Sequence, residues 1–196
     1  MILSRIVIPA LRRWTYLDAI ADFAVAQLGT TQTRPGEYGP AVCSLIERAP
    51  GVMCDRYEAW CQRFAWVCAE TPAETWGMAT TYPHAWGGVV RAWHEAGRSG
   101  LVRIIPGSER PPRGAIYLRV RDASRRDDAL RGGTAPGHCG VVVDVRDTDF
   151  VSIDGNTNSS GSATGGEVGR NFTRWDDARL LGFVVPGLQR RMAHVG

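Results

Sequence analysis

The chain changes character at Gly100, and that switch constrains its fold more than any other feature. Before it, apolar residues recur at helical spacing. After it come short runs of β-branched and apolar residues bounded by Gly, Pro and Asp turns. Helices first and strands second, without strand–helix alternation, exclude a doubly wound parallel sheet and predict an α+β fold. Leu17, Ile20, Ala24 and Leu28 predict a helix over 16–28, with Thr15 as its N-cap and Gly29 as its stop. A second helix follows Pro40 and ends before Pro50-Gly51, a third covers 57–70, and a fourth covers 85–96 and stops at Gly97. The strand-like runs are 115–120, 140–145, 150–153, 168–173 and 181–185, with long polar loops at 121–136 and 157–166.

There is no internal repeat and no domain break. We expect one domain over 15–187, an N-terminal extension at 1–14 and a C-terminal tail at 188–196. At 196 residues the chain is long enough to bury roughly 70% of its unfolded surface, so it needs no staple to fold. Hydrophobic residues at 44% and charged residues at 22% exclude a disordered chain, and no apolar run is long enough for a membrane span. All 23 basic residues are Arg, set against 20 acidic ones. The one dense basic patch, Arg119, Arg121, Arg125, Arg126 and Arg131, is interrupted by Asp122, Asp127 and Asp128, which argues against nucleic-acid binding. A solvated loop is its plain reading. Near the start, a short apolar stretch is broken by Arg5 and followed by Arg12 and Arg13, the reverse of a secretory signal, so a non-Sec route is expected for any work outside the cell.

Chemistry concentrates around three segments. Cys61 stands in an aromatic helical stretch with Trp60, Phe64 and Trp66, and a helix start stabilises a thiolate through unpaired N–H groups and the dipole. Asp55 and Glu58 form a capping pair that would start the helix at Arg56 and bury Cys61 in the second turn; a start nearer Ala59 favours reactivity, and local sequence leaves both open. His138 follows Pro136-Gly137 at the mouth of a strand and is the candidate base. Asp154 and Asn156 close the next strand, where either side chain can orient an imidazole. Taken singly, each has a plain alternative: a buried thiol, an edge histidine and an Asp-Gly turn.

Five cysteines, Cys43, Cys54, Cys61, Cys68 and Cys139, leave at least one thiol free, and Cys43 and Cys54 are expected to be free thiols although close enough to pair. Zinc on Cys54, Cys61, Cys68 and His138 is disfavoured by the seven-residue spacing, so no metal or cofactor is expected. Trp76, Tyr82, Trp86 and Trp93 are candidates for a groove wall or for the core, and His84, His94 and His194 read as structural or surface residues.

Trp60-Cys61 with Phe64, Gly114-Ala115-Ile116, Gly137-His138 before Gly140-Val141-Val142-Val143, Ile153-Asp154-Gly155-Asn156-Thr157 and Leu181-Gly182-Phe183-Val184 together resemble, in order, the segments of CHAP-type cysteine amidase/peptidase domains. The resemblance covers nearly the whole chain, roughly 16–186. It implies a papain-like fold and cleavage of amide bonds in bacterial peptidoglycan, with Cys61 as nucleophile, His138 as base, Asp154 orienting His138, and Asn156 aiding that alignment or the oxyanion site. Trp60, Tyr82 and Trp86 would contact substrate. The acidic position is often Glu in this family, and the calcium-binding aspartates of some members have no counterpart here. The implied protein is a monomeric phage endolysin or virion-borne lysin, held in the host cytoplasm until a holin opens the membrane. The rivals are an interbacterial amidase toxin or NlpC-type peptidase, and a non-catalytic phage structural or wall-binding module.

Overall fold

In the computed structural model, the described residues are 10–34, 36–51, 54, 58–83, 88–104, 109–158 and 165–191. Helix α1 (Ala10–Ala26), α2 (Gly39–Ile46) and α3 (Cys61–Thr75) come first; β1 (Met78–Thr80), α4 (Val89–Arg98) and β2 (Val102–Ile104) follow. Then come β3 (Ile116–Val120), a 3₁₀ turn (Ala123–Arg125), α5 (Arg126–Leu130), β4 (Gly137–Val145), β5 (Asp149–Thr157), β6 (Glu167–Arg174), β7 (Leu180–Val185) and β8 (Leu188–Arg190). Six strands form one sheet in the order β2-β7-β3-β4-β5-β6, every neighbouring pair antiparallel, while β1 and β8 pair separately. The α+β class read from the sequence is the observed one.

Helix α3 is the centre of the fold. It is apolar almost all round, so it can be stable only when enclosed, and Phe64 through Glu70 are all buried. It packs on β4 and β5, with α1 and α2 against its other sides. Helix α1 presents Tyr16, Leu17, Ile20, Ala21 and Ala24 to the core, the i, i+4 and i+3 stripe of an amphipathic helix. The Tyr16 hydroxyl donates to Ala69 O (2.9 Å) in α3 and accepts from the Thr80 hydroxyl (2.8 Å) in β1, tying three elements at one atom. Gly114 lets α1 approach the sheet: its φ is +84°, and a Cβ there would lie 2.0 Å from the Leu17 carbonyl oxygen.

Several expected boundaries move. Among the described residues helix α1 reaches back to Ala10, so Thr15 lies inside it; Ala10 to Trp14 hold no breaker that would stop a helix. The extension read at 1–14 thus contributes a turn of α1, and the tail at 188–196 contributes β8, which pairs with β1 through Leu188↔Thr80. Helix α4 runs through Gly97 to Arg98. Its last carbonyls are closed by Leu101 N–H to Ala96 O (3.1 Å), which puts the stop at Gly100. Helix α3 outlasts its expected end at Glu70 and carries Pro72 inside it, because Pro72 and Ala73 are themselves buried. The loop at 121–136 contains the 3₁₀ turn and α5. Cys43 and Cys54, expected as free thiols, form a disulfide with Cα atoms 5.8 Å apart. The turn at 50–51 folds the chain back sharply enough to bring them together, and Cys61, Cys68 and Cys139 remain free and buried.

Gly114→Ala should lower the unfolding free energy by about 2 kcal/mol or more, since the new methyl group must displace backbone at a strained φ. Urea denaturation followed by tryptophan fluorescence measures it; an unchanged midpoint would mean α1 docks without that close approach.

Candidate active site

The site is assembled from the first residue of α3 and from side chains of β3, β4, β5 and β6. The residue preceding α3 is Trp60, non-helical at φ −107° and ψ 9°, and the first intrahelical bond runs from Phe64 N–H to Trp60 O (2.9 Å). The N–H groups of Cys61, Gln62 and Arg63 therefore have no carbonyl within the helix to bond, and the positive end of the helix dipole lies at Cys61. Of the two helix starts the sequence left open, the later is observed. Glu58 does not cap the helix: its carboxylate pairs with Arg63, and its backbone is pinned by Tyr38, whose hydroxyl accepts from Glu58 N–H (2.7 Å) and donates to Glu58 O (2.8 Å). Asp55 lies outside the described residues.

His138 stands on β4 and is fully buried. Its Nε2 lies 3.0 Å from Asp154 Oδ2 on β5, within hydrogen-bond reach although the acid is Asp and not the longer Glu. Nδ1 is buried without a hydrogen-bond partner among the described residues. Asp154 Oδ2 also accepts from the Tyr117 hydroxyl on β3 (2.6 Å) and from Asn171 Nδ2 on β6 (2.8 Å). Gly140 on β4 leaves the carboxylate its room, because a Cβ there would sit 1.9 Å from Asp154 Oδ1. Asn156, two residues beyond Asp154, is buried in the left-handed region (φ +59°), and it lies within β5 where the register slips between Asp154 and Thr157. The expected turn is thus a bulge inside a longer strand.

The electrostatics follow from these contacts. The Cys139 thiol, as hydrogen-bond partner, holds Cys61 well below the ordinary thiol range; burial opposes this, and His138 adds to the lowering. Burial disfavours a charged His138, but its bond to Asp154 and the neighbouring Cys61 sulfur outweigh that and raise it to about 9. Burial likewise pushes Asp154 up, and His138 and Tyr117 more than reverse it, so the carboxylate stays ionised. Cys68, seven residues along the same helix and equally buried, has burial alone and is pushed well above the usual range. The two shifts run in the directions that favour a thiolate at Cys61 and an imidazolium at His138.

Gln62 organises the floor beneath the thiol. Its Oε1 accepts from the Tyr82 hydroxyl (2.9 Å) and lies 3.3 Å from Cys139 Sγ, and its Nε2 donates to Pro83 O (3.1 Å). Cys61 opens into a cleft of about 610 Å³ lined also by Ala59, Gln62, Gly88, Val89, Arg121, Arg125 and the segment 134–137.

Two of the expected substrate contacts are corrected. Trp60 is wholly buried with its ring edge-on to Phe64 (6.3 Å between centroids), and Tyr82 is buried with its hydroxyl spent on Gln62; both belong to the core beneath the site. Trp86, His84 and His194 lie outside the described residues. Trp93 is core, Trp76 is partly exposed against Tyr16, and His94 holds Ala129 O at 2.8 Å. Among the described residues one cluster has metal-ligand chemistry, Cys43, Glu47 and Cys54, and its two sulfurs are bonded to each other.

Tyr117, Asn171, Gln62 and Cys139 were not singled out from the sequence. Asn171 did leave a signal. In Arg170-Asn171-Phe172-Thr173-Arg174, two outward arginines four apart fix the alternation, and Asn171 and Thr173 must face inward while Phe172 faces out. No family model matches the chain, and no curated protein matches it. Among solved structures, that of Ly7917 is similar at 14% identity and a TM-score of 0.37, over 87% of this chain and 62% of that one. The chain spans less than two thirds of the length of Ly7917.

In Asp154→Asn the influences that raise His138 lose their carboxylate while burial remains. The imidazolium should then titrate well below about 9, which NMR of the histidine ring protons reads directly. A value unmoved by the substitution would show that Asp154 does not govern the ring.

Proposed function

We propose that the chain is a cysteine-dependent hydrolase of papain-like architecture that cleaves amide bonds in bacterial peptidoglycan, in the setting of a phage endolysin or virion-borne lysin. The observation that carries the reading is Cys61 at the first position of α3, its thiol drawn well below the ordinary range and opening into a cleft, with His138 bonded to Asp154 behind it. A buried thiol with only a structural role would follow Cys68, whose environment raises it. The order of motifs along the chain supplies the substrate class.

The chemistry needs no group beyond these. The Cys61 sulfur attacks the scissile carbonyl carbon, and the backbone N–H groups at the start of α3 stabilise the oxyanion that forms. His138 gives its proton to the leaving amine as the C–N bond breaks, leaving a thioester. Neutral His138 then takes a proton from water, the hydroxyl adds to the thioester, and the acid departs as the sulfur regains its negative charge. Asp154 keeps the proton on Nε2 and faces Nδ1 towards the sulfur; Tyr117 and Asn171 hold Asp154 still. These two are positioning residues.

Purified peptidoglycan treated with the wild type should release fragments that Cys61→Ser, nearly isosteric, releases at least about 10³-fold more slowly. Mass spectrometry of the new ends decides the bond: peptide-free glycan marks an amidase, and cut stems or cross-bridges mark an endopeptidase. Walls left intact by a folded wild type would overturn the reading.

The same proton sets an alkaline limit. Turnover should be sustained from neutrality and fall as pH rises through about 9, where His138 loses the proton the leaving amine needs. A profile still rising at pH 10 would assign the proton donor elsewhere.

A further inference from the structure

The cleft in front of Cys61 is basic in its described lining. Among its described lining residues are two arginines, Arg121 and Arg125, and no carboxylate. The acidic residues that interrupt the basic stretch, Asp122, Asp127 and Asp128, lie outside that lining, so the alternation of sign seen in sequence is sorted in space. The arginine wall is also built firmly. Arg121 N–H donates to Pro136 O (2.9 Å), which fixes the end of β3 against the residue before β4. Asp122 accepts from Ser124 N–H (2.9 Å) and caps the 3₁₀ turn that carries Arg125. Arg125 Nη2 donates to Thr134 O (2.9 Å) across the loop, and its link to Asp128 (3.4 Å) is long and solvent-exposed, a pairing worth little.

A cleft whose floor is a thiolate repels an anion unless cations offset it. Two guanidinium groups in the same lining do so, and their planar donor forks match a carboxylate. We infer that this cleft selects peptides bearing a free carboxylate next to the reacting amide, held by Arg121 and Arg125, and discriminates against the corresponding carboxamide. The inference rests on the hydrolase reading for the identity of the peptide: peptidoglycan stems carry the D-glutamyl α-carboxyl group either free or amidated, which makes a matched pair of ligands.

The test measures binding and turnover separately. Binding of L-Ala-D-isoglutamyl-L-Lys and its D-isoglutaminyl counterpart to Cys61→Ser is followed by calorimetry, in that background and with Arg121→Gln, Arg125→Gln, both, Arg125→Lys, and the exposed control Arg190→Gln. The carboxylate peptide should bind about ten-fold tighter than the amide. Each glutamine variant should lose part of that preference and the double variant all of it. Arg125→Lys should keep some, having the charge without the fork, and Arg190→Gln should keep the whole. Equal affinities, no measurable binding of either peptide, or a preference that survives in the folded double variant would overturn the inference. Hydrolysis of both peptides by the wild type is scored apart. Turnover without preference sinks this inference and leaves the hydrolase, whereas preference without turnover does the reverse.

Discussion

The buried carboxylate of Asp154 is the interaction on which the arrangement depends. An ionised group with no exposure is costly unless its charge is met by donors, and here one oxygen receives three: a phenol, a carboxamide and an imidazole. Those donors come from β3, β6 and β4, so the carboxylate draws four adjacent strands of the sheet into one register. A slip of one residue in any of them would turn its donor to the opposite face and leave the charge unmet. The polar cluster thus specifies the sheet as much as the sheet positions the cluster.

Helix α3 supplies the other half. Its two free cysteines are equally buried and lie on one element, yet their thiols are driven in opposite directions. Depth does not separate them. Cys61 has the helix start, Cys139 and His138 as neighbours, whereas Cys68, two turns on, has burial alone acting on it. The acidity of a thiol in this chain follows its position along the helix, and the pinning of Glu58 by Tyr38 and Arg63 sets that position by keeping the helix from starting earlier.

What could be read from the sequence follows the range of the forces involved. The α+β class, the five strand runs and the trio Cys61, His138 and Asp154 were legible, because periodicity and local motif carry them. Helix ends were less so: Thr15 was a sound cap in isolation, but Ala10 to Trp14 continue the helix past it. Trp60 and Tyr82 looked like groove walls because an aromatic side chain beside a nucleophile reads the same whether it faces in or out. Only the packing of Phe64 on Trp60 and the bond from Tyr82 to Gln62 decide the matter. Tyr117 and Asn171 depend on cross-strand register, and the Cys43–Cys54 bond on how the chain folds back at 50–51, neither of which a single segment encodes.

The chain order of these parts has a consequence for the newly made protein. The segment carrying Cys61 leaves the ribosome well before β4 and β5, which bring the side chains that make its sulfur acidic. Until they arrive the nascent chain holds an ordinary thiol, protonated at neutral pH and a poor nucleophile. A reactive sulfur exposed on an unfinished polypeptide would invite oxidation and misplaced cross-links, and this order of elements withholds it until the sheet has closed.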